Sequence, residues 1–313
     1  MGVEVMDGLE NLPERLRRCV LTVGNFDGVH VGHQAILRRA RGLADSVGAA
    51  MVAMTFDRPP ATLVAPEKVP EALLPGEVKH RLLGEGGADA VVVARATRPF
   101  LAMAAEAFVR EVLAGRFAAR YLIEGRNFFF GRGRGGNIGT LRAMAAECDF
   151  EVVEVPPVTL DLPPGGEVRV SSSLIRRLVH AGDVAGAGRC LGRPYTLYGR
   201  VVGGERRGRA LEFPTANVAP AGTITPADGV YAARAEVAGE TWAAAVSIGN
   251  KPTFGPTERC IEANLIGAAG DFYDLPIALA FLRRLRDQQR FPDAESLRAR
   301  IAEDVERVRE LCR

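Results

Sequence analysis

The sequence predicts a doubly wound α/β domain followed by a mainly antiparallel β-barrel domain that ends in a helix. Two observations lead to this fold class. Up to about residue 181, short apolar runs alternate with segments of helical spacing, and beyond that point apolar runs follow one another without long helical segments. The length of 313 residues also exceeds that of one typical domain and suits two.

The first half alternates strands with helices, which is the pattern of a mostly parallel sheet. Residues 49–56 are continuously apolar, as expected of a strand that is buried on both faces of such a sheet. The predicted strands are 20–23, 49–56, 88–94, 121–124 and 151–155. The predicted helices are 34–47, 78–83, 104–113, 140–147 and 173–180.

The second half contains strands that follow one another closely, which is typical of an antiparallel barrel or a sandwich. Residues 237–241 have the composition of a hairpin turn, and a closing helix carries an apolar stripe that should pack across the barrel. We expect domains at 1–181 and 194–313, joined by a linker at 182–193. The predicted strands are 196–202, 231–237, 242–248, 261–266 and 277–282. The stripe consists of Leu297, Ile301, Val305, Val308 and Cys312.

The composition is that of an ordinary globular protein. Hydrophobic residues make up 47% of the chain, charged residues 25%, and the formal net charge is +2, so neither nucleic acid nor a membrane is expected as a partner. No apolar run reaches the ~18 residues of a membrane span, and the first residues lack the pattern of a secretory signal. Five dispersed cysteines indicate reduced thiols, and we therefore expect a cytoplasmic protein. The sequence does not indicate an oligomeric state.

The most informative stretch is 21–33, in which an apolar run ends in a glycine-containing turn directly before a helical pattern. A helix N-terminus in this position presents free N–H groups and the positive end of the helix dipole to an anion. Two of the chain's four histidines, His30 and His33, stand there and could donate to phosphoryl oxygens. With three-residue spacing and no third ligand nearby, they make a poor zinc site. The candidate phosphate-binding residues are Gly24, Phe26, Asp27, Gly28, His30, Gly32 and His33.

A second helix start, far away in sequence, has three hydroxyl side chains and one basic side chain. Such a helix start can bind an anion, although a capping serine with a surface arginine is also common. Two phosphate-binding helix ends on one sheet would suit a triphosphate. The candidate residues are Ser171, Ser172, Ser173 and Arg176.

Three consecutive phenylalanines, 128–130, precede a loop of glycines and arginines at 131–136. Aromatic rings beside a basic loop would suit a flat ligand that carries phosphate, and core packing explains the same rings equally well. The candidate ligand contacts are Asn127, Phe128, Phe130 and Gly131.

The second half holds candidates for phosphoryl chemistry. A Gly/Arg loop at 199–209 could bind phosphate, and its lack of interleaved aromatic side chains disfavours a nucleic-acid surface. Thr215 and Asn217 could both reach one Mg²⁺ if their segment is extended, whereas a proline turn is the alternative. Glu262 lies inside an apolar run, either on a solvent-facing side or placed to accept a proton from a substrate hydroxyl. The loop candidates are Gly199, Gly203, Gly208 and Arg209.

The motifs of the first half resemble those of a known family. Residues 24–33 together with 171–176 look like the adenylyltransferase module of the prokaryotic bifunctional riboflavin kinase/FAD synthetase family, a Rossmann-like nucleotidyltransferase fold with His-x-Gly-His and Ser-Ser-x-x-x-Arg-like motifs. Residues 125–136 resemble the flavin-side segment of that family, in which Asn127 stands at a position where Asp is usual. The resemblance implies that both helix starts bind ATP and that His30 and His33 serve the transfer of AMP.

The second half resembles the riboflavin kinase module of the same family. The resemblance implies that Thr215 and Asn217 bind the Mg²⁺ of the nucleotide, that Glu262 is the catalytic base and that Arg286 contacts the flavin. The motifs that carry it are the loop 199–209, Pro-Thr-Ala-Asn at 214–217, residues 229–232 and 248–254, Glu262, and Leu285 and Arg286 with Phe291. The departures from the family pattern are Glu212, Asn264, Gly267 and Asp274.

These observations predict a bifunctional enzyme that phosphorylates riboflavin with ATP and then adenylylates FMN to FAD, with Mg²⁺ as cofactor. Its partners would be the small molecules riboflavin, FMN and ATP. Three alternatives stay open at this point: an FAD synthetase with a degenerate kinase module, a non-catalytic flavin-binding regulator, and a nucleic-acid ligand built on the basic loops. The balanced charge disfavours the last.

Overall fold

The computed structural model describes residues 2–163, 165–203, 215–250 and 259–312. The chain divides into two compact units, one made of Met1–Pro70 and Gly76–Val170, the other of Glu71–Pro75 and Ser171–Arg313. The boundaries expected from the sequence, at 181 and 194, stay predictions. Two of the candidate residues, Gly208 and Arg209, lie outside the described residues, as do Glu212 and residues 251–254 of the kinase-like motifs.

The first unit is built on a parallel sheet. Its strands are β1 (Glu4–Asp7), β2 (Val20–Val23), β3 (Met51–Phe56), β4 (Ala90–Ala94), β5 (Tyr121–Gly125) and β6 (Glu151–Val155). The six strands lie in the order β1-β4-β3-β2-β5-β6, and all neighbours are parallel. The doubly wound fold is therefore confirmed, and β1 is a strand that the sequence analysis missed.

Helices connect these strands. They are α1 (Val31–Val47), α2 (Ala61–Val64), α3 (Gly76–Glu85), α4 (Arg98–Leu101), α5 (Ala105–Ala107) and α6 (Ile138–Met144). The helix expected at 104–113 is α5 followed by a π-helical segment, Phe108–Arg116, whose buried side chains belong to the core of the unit. Shorter elements are 3₁₀ turns at Glu14–Leu16, Pro66–Lys68 and Arg132–Arg134, and a hairpin of β7 (Thr159–Asp161) and β8 (Glu167–Arg169).

The second unit contains a closed antiparallel barrel. Its elements are α7 (Ser172–His180), α8 (Val184–Leu191), β9 (Tyr195–Val202), β10 (Thr215–Pro220), β11 (Gly229–Val237), β12 (Glu240–Asn250), β13 (Arg259–Leu265), β14 (Pro276–Arg286) and α9 (Ala294–Cys312). The barrel closes in the order β10-β13-β12-β11-β14-β9, which selects the barrel over the sandwich. Helix α8 lies inside the stretch 182–193 that was expected to be a linker, and four of its apolar side chains are buried.

The predicted hairpin turn and closing helix are both present. Strands β11 and β12 pair up to Val237 and Glu240, and the two residues between them, Ala238 and Gly239, have φ angles of 53° and 79°. Positive φ at both central positions is the type I′ turn that matches the twist of a hairpin. Helix α9 packs on β11 and β12, with Val308 fully buried. Among the helices of the described ranges, none combines the length and the apolar character that crossing a bilayer needs.

A buried ion pair ties α9 to the barrel, and it provides a stability prediction. The side chains of Arg286 and Asp304 are only 10% and 3% exposed and lie 2.8 Å apart. Replacing Asp304 by Ala leaves the guanidinium of Arg286 buried without its counter-ion, and we expect a loss of about 3–5 kcal/mol in the free energy of unfolding. Urea unfolding followed by the fluorescence of Trp242, the single tryptophan, measures the effect in this unit.

The neighbouring Glu303 supplies the matched control. It pairs with Arg300 on the same helix, but its side chain is 62% exposed. Replacing Glu303 by Ala should change the free energy of unfolding by at most about 1 kcal/mol, because water screens a surface pair. Equal effects of the two substitutions would contradict the energetic importance of the buried pair.

Candidate active sites

The turn that follows β2 has an unusual backbone. Gly28 has a φ of 85°, Phe26 one of 47° and Val29 one of 37°. A positive φ is accessible to glycine, but it costs about 1–3 kcal/mol at other residues, and residues strained in this way cluster at functional sites. The turn is closed by a hydrogen bond of 3.0 Å from the N–H of Val29 to the carbonyl of Phe26. The sequence candidates of this stretch therefore form one constrained turn that leads into α1.

His30 is the N-cap of α1. Its Nδ1 accepts a hydrogen bond of 3.3 Å from the N–H of His33. Because Nδ1 of His30 accepts this hydrogen bond, the neutral ring carries its proton on Nε2, and this N–H can donate to a phosphoryl oxygen. Gly32 permits this arrangement, since a Cβ atom there would lie 3.0 Å from Cε1 of His30. The first turn of α1 contains no acidic residue that would oppose anion binding.

His33 stacks on His30 and is held neutral. The ring centroids of the two histidines lie 3.7 Å apart with an interplanar angle of 17°, and Phe26 contacts the ring of His33 edge-on. Burial lowers the pKa of His33 well below its usual range, and the proximity of His30 lowers it further. Within the described part of the chain, the buried Nδ1 of His33 has no hydrogen-bond partner. The structure thus brings the two predicted histidines together as a pair of imidazoles.

The structure adds two groups that sequence reasoning missed in this unit. Lys79 on α3 donates to the carbonyl of Phe56, and burial lowers its pKa while the nearby carboxylates of Asp27 and Asp57 raise it. No sequence signal marked Lys79, because its position beside Asp27 depends on helix packing. Glu124 on β5 is buried and accepts a hydrogen bond from the N–H of Val23. An acidic residue inside the apolar strand 121–124 was the available signal.

The second predicted helix start lies in the other compact unit, at α7. Ser171 is the N-cap of α7, and its Oγ accepts a hydrogen bond of 3.2 Å from the N–H of Leu174. Arg176 donates from Nε to the carbonyl of Glu71 at 2.7 Å. The sequence therefore identified the helix start correctly, and the capping role expected of a serine is filled by Ser171.

The three phenylalanines 128–130 have different environments. Phe130 is buried, stacks on Phe128 at 5.2 Å and contacts Phe108, so core packing explains part of the motif. Phe129 is 45% exposed, and the guanidinium of Arg134 lies 4.8 Å from its ring centroid. Asn127, at the start of this segment, is exposed.

Gly131 follows these rings directly. It has a φ of 71°, and a Cβ atom there would lie 2.7 Å from Cα of Ala105. A larger residue would push α5 away from the loop, so the glycine lets the segment 125–136 pack closely.

The barrel places the predicted kinase residues on one face. Asn217 on β10 stands directly opposite Glu262 on β13, and Thr215 stands opposite Asn264. Opposed residues of an antiparallel pair share a face with Cβ atoms about 4.5–5.5 Å apart, and residues two positions apart on one strand also share it. On the other side of β13, Ser247 is opposite Glu262. The alternating residues Val218, Ile261, Ala263 and Leu265 are buried in the barrel, so the polar face points away from its interior.

This polar face has the donor set of a Mg²⁺ site. A threonine hydroxyl, an asparagine amide oxygen and a carboxylate are hard oxygen ligands, and Mg²⁺ usually takes one or two protein ligands together with phosphate oxygens and water. Within the described ranges there is no group of three or more His, Cys, Asp or Glu side chains that could hold a metal by themselves. The residues present therefore fit an ion that is shared with a nucleotide better than a closed protein cage.

The remaining candidates of the barrel have visible structural constraints. Gly199 lies within β9, where a Cβ atom would come within 2.4 Å of the carbonyl oxygen of Ala219, so close strand packing requires a glycine. Gly203 follows the end of β9 in open space. Arg286 donates from Nε to Asp304 and from Nη1 to the carbonyl of Asp287, and the centroid of the Phe291 ring lies 5.8 Å from its guanidinium. Its guanidinium is therefore oriented by α9.

Two family models of known proteins match this chain, one in each half. Residues 12–173 match the family model for FAD synthetase, and residues 191–312 match the model for riboflavin kinase. The chain belongs to the bifunctional riboflavin kinase/FMN adenylyltransferase family. The family expected from the motifs is thereby confirmed.

Individual relatives cover nearly the whole chain. A bifunctional riboflavin kinase/FMN adenylyltransferase from Pseudomonas fluorescens is 35% identical over 99% of this chain and 98% of its own. The protein of the same name from Escherichia coli (strain K12) is 34% identical over 98% of this chain and 97% of its own. A crystal structure described as a macrolide-efflux protein from Streptococcus pneumoniae superposes with a TM-score of 0.86 at 28% identity, covering 99% of both chains. That superposition supports the two-part fold.

The neutral state of His33 predicts a specific pH dependence of stability. Its folded-state pKa lies below the unfolded value of 6.5, so the unfolded state binds a proton more readily as the pH falls. The stabilising contribution is therefore present above 6.5 and is lost as the pH falls below it. We expect the Tm advantage of the wild type over His33→Gln to shrink between about pH 7.5 and pH 5. Parallel Tm curves for the two proteins in thermal melts would contradict the burial of a neutral imidazole.

Proposed function

We propose that two separate sets of residues carry out two successive reactions. As a member of its family, the protein transfers the γ-phosphoryl group of ATP to riboflavin and then transfers AMP from a second ATP to FMN. We assign the phosphorylation to Thr215, Asn217 and Glu262, and the AMP transfer to His30 and His33. The observation that carries the proposal is the register that sets Glu262 directly opposite Asn217.

Phosphorylation requires a proton acceptor. Glu262 accepts the proton of the 5′-hydroxyl of riboflavin while the oxygen of that hydroxyl forms its bond to the γ-phosphorus and ADP leaves. Thr215 and Asn217 would hold the Mg²⁺ of the nucleotide, which supplies neutralisation of the phosphate charge. We assign the remaining nucleotide contacts of this reaction to Gly199, Gly203, Gly208 and Arg209, and a flavin contact to Arg286.

AMP transfer requires no base. The phosphate of FMN is already an anionic nucleophile, and one of its oxygens forms a bond to the α-phosphorus of ATP while pyrophosphate leaves. The protein then has to position the two phosphates and stabilise the charge, and the Nε2–H of His30 at the start of α1 is suited to this role. We assign the nucleotide contacts to Gly24, Phe26, Asp27, Gly28, Gly32, His33, Ser171, Ser172, Ser173 and Arg176, and the flavin contacts to Asn127, Phe128, Phe130 and Gly131.

We further propose a cytoplasmic enzyme whose substrates are small molecules and which binds neither nucleic acid nor membranes. The five cysteines are all free thiols, as expected in a reducing compartment. The balanced charge of +2 supports the absence of a nucleic-acid partner. We place the two domains at 1–181 and 194–313.

Replacing His30 by Ala tests the assignment of AMP transfer. Incubation with riboflavin, ATP and Mg²⁺, followed by chromatography of the flavins, should show FMN formation at the normal rate and an FAD rate reduced about 10²-fold, because one donor to the transferring phosphate is lost. The control is His80→Ala, which changes a histidine on α3 of the same unit. A normal rate of FAD formation by His30→Ala would disprove the assignment.

Replacing Glu262 by Gln tests the kinase base. The amide keeps the size of the side chain but cannot take the proton, so we expect riboflavin phosphorylation to fall by about 10²–10⁴-fold. The variant should still form FAD when FMN is supplied, and the fluorescence of Trp242 should match that of the wild type, which shows that the barrel is folded. Glu236→Gln, at an exposed position of β11, is the control for a change of charge on the barrel. Rapid phosphorylation of riboflavin by Glu262→Gln would remove Glu262 from the reaction.

A further inference from the structure

Glu124 is a buried carboxyl in the parallel sheet, and it has been assigned no role in either of the two reactions described above. It lies on β5 among apolar neighbours and is 3% exposed. Asp304 is also buried, but it is paired with Arg286, whereas no cation of the described residues pairs with Glu124. A buried carboxyl without a cationic partner is energetically costly, so its presence calls for an explanation.

The position of Glu124 coincides with the opening of the sheet. Strand β2 pairs with β3 along its whole length, from Val20 to Val23. Its pairing with β5 ends after Leu21 and Leu122. In the sheet, β3 and β4 follow β2 on one side, whereas β5 and β6 lie on its other side. The direction in which successive strands are added therefore reverses between β2 and β5. In doubly wound sheets the ligand crevice lies at the carboxyl ends of the strands at this reversal.

The carboxyl of Glu124 replaces a backbone acceptor in this opening. The N–H of Val23 donates to Oε1 of Glu124 at 2.6 Å, in a contact between residues 101 positions apart. With an apolar residue in place of Glu124, that buried N–H would lack its acceptor, or the two strands would have to pair further and narrow the crevice. Val23 directly precedes Gly24, the first residue of the turn that leads to His30.

The surroundings of Glu124 favour its neutral form. Burial raises the pKa of the carboxyl well above its usual range, and the hydrogen bond from Val23 lowers it only in part. Glu154 lies opposite Glu124 on the neighbouring strand β6, and it forms ion pairs with Arg126 and Arg142. Glu124 therefore contributes a hydrogen-bond acceptor without bringing a negative charge to the crevice.

We propose that Glu124 is a positioning residue for AMP transfer, which holds β2 apart from β5 and fixes the turn that carries His30 and His33. It acts through Val23 rather than through the substrate. This inference rests on the proposed role of the two histidines, and its test includes a measurement that does not depend on that role.

Two substitutions separate positioning from acid–base chemistry. Glu124→Gln keeps an oxygen acceptor of the same length, and we expect wild-type rates of FAD formation. Glu124→Leu keeps a side chain of similar size but removes the hydrogen-bond acceptor. We expect kcat of FMN adenylylation to fall by about 10²-fold, because a small displacement of a catalytic group has an effect of this size. The KM values for ATP and FMN and the rate of riboflavin phosphorylation should stay close to wild type. Glu154→Gln, at the same register on β6, is the matched control and should change none of these quantities.

The histidine NMR spectrum reports the position of the turn directly. The chain has only four histidines, so their ring signals are readily assigned by single substitutions. In Glu124→Leu the signals of the stacked pair His30 and His33 should shift, while those of His80 on α3 and His180 on α7 stay in place. In Glu124→Gln all four should match the wild type.

Each result decides the proposal. Loss of FAD formation in Glu124→Gln, with normal kinase activity, would show that Glu124 is needed as an acid and overturn a positioning role, even if Glu124→Leu does not fold. Normal FAD formation in Glu124→Leu would also overturn it. If His30→Ala forms FAD normally while Glu124→Leu shifts the histidine signals, the role of His30 fails and the placement of the turn by Glu124 is supported.

Discussion

The early end of the pairing between β2 and β5 is the constraint on which the first unit depends. Beyond Leu21 the two strands separate, while β3 continues to pair with β2 as far as Val23. This one-sided support lets the chain leave β2 in a tight turn with positive φ angles and enter α1 at His30. A helix N-terminus free of acidic residues then faces the end of the sheet, which is where a doubly wound fold binds anions.

In the second unit, the candidate site residues are positioned by the register of the strands rather than by the separation of two strands. In a closed barrel every strand is paired on both sides, and a slip of one residue would exchange the interior face for the outer one. The register that buries Ala263 and Leu265 therefore also fixes Glu262 and Asn264 on the outer face, opposite Asn217 and Thr215. The apolar core and the polar site are specified by the same hydrogen-bond ladder.

The accuracy of sequence reasoning followed the strength of the local signal. Long apolar runs such as 49–56 gave correct strands, and the helix starts at His30 and Ser171 were located because capping is a local property. Strands β1 and β10 were missed, since both are short and neither buries more than one of its residues. Glu124 and Lys79 could not be assigned roles, because their significance arises from strand divergence and helix packing rather than from neighbours in sequence.

The two reactions place opposite demands on protein charge, and the two units reflect this. Phosphorylation of an alcohol needs a group that removes a proton, and a carboxylate beside the hydroxyl can do so. Attack by a phosphate on a triphosphate joins two anions, so a carboxylate nearby would repel both unless a cation offsets its charge, as Lys79 does for Asp27. The first unit presents the neutral imidazole of His33 and a carboxyl, Glu124, whose burial favours the protonated acid. Desolvation thus lets a polar group support the turn without adding negative charge to a site that must bind several phosphates.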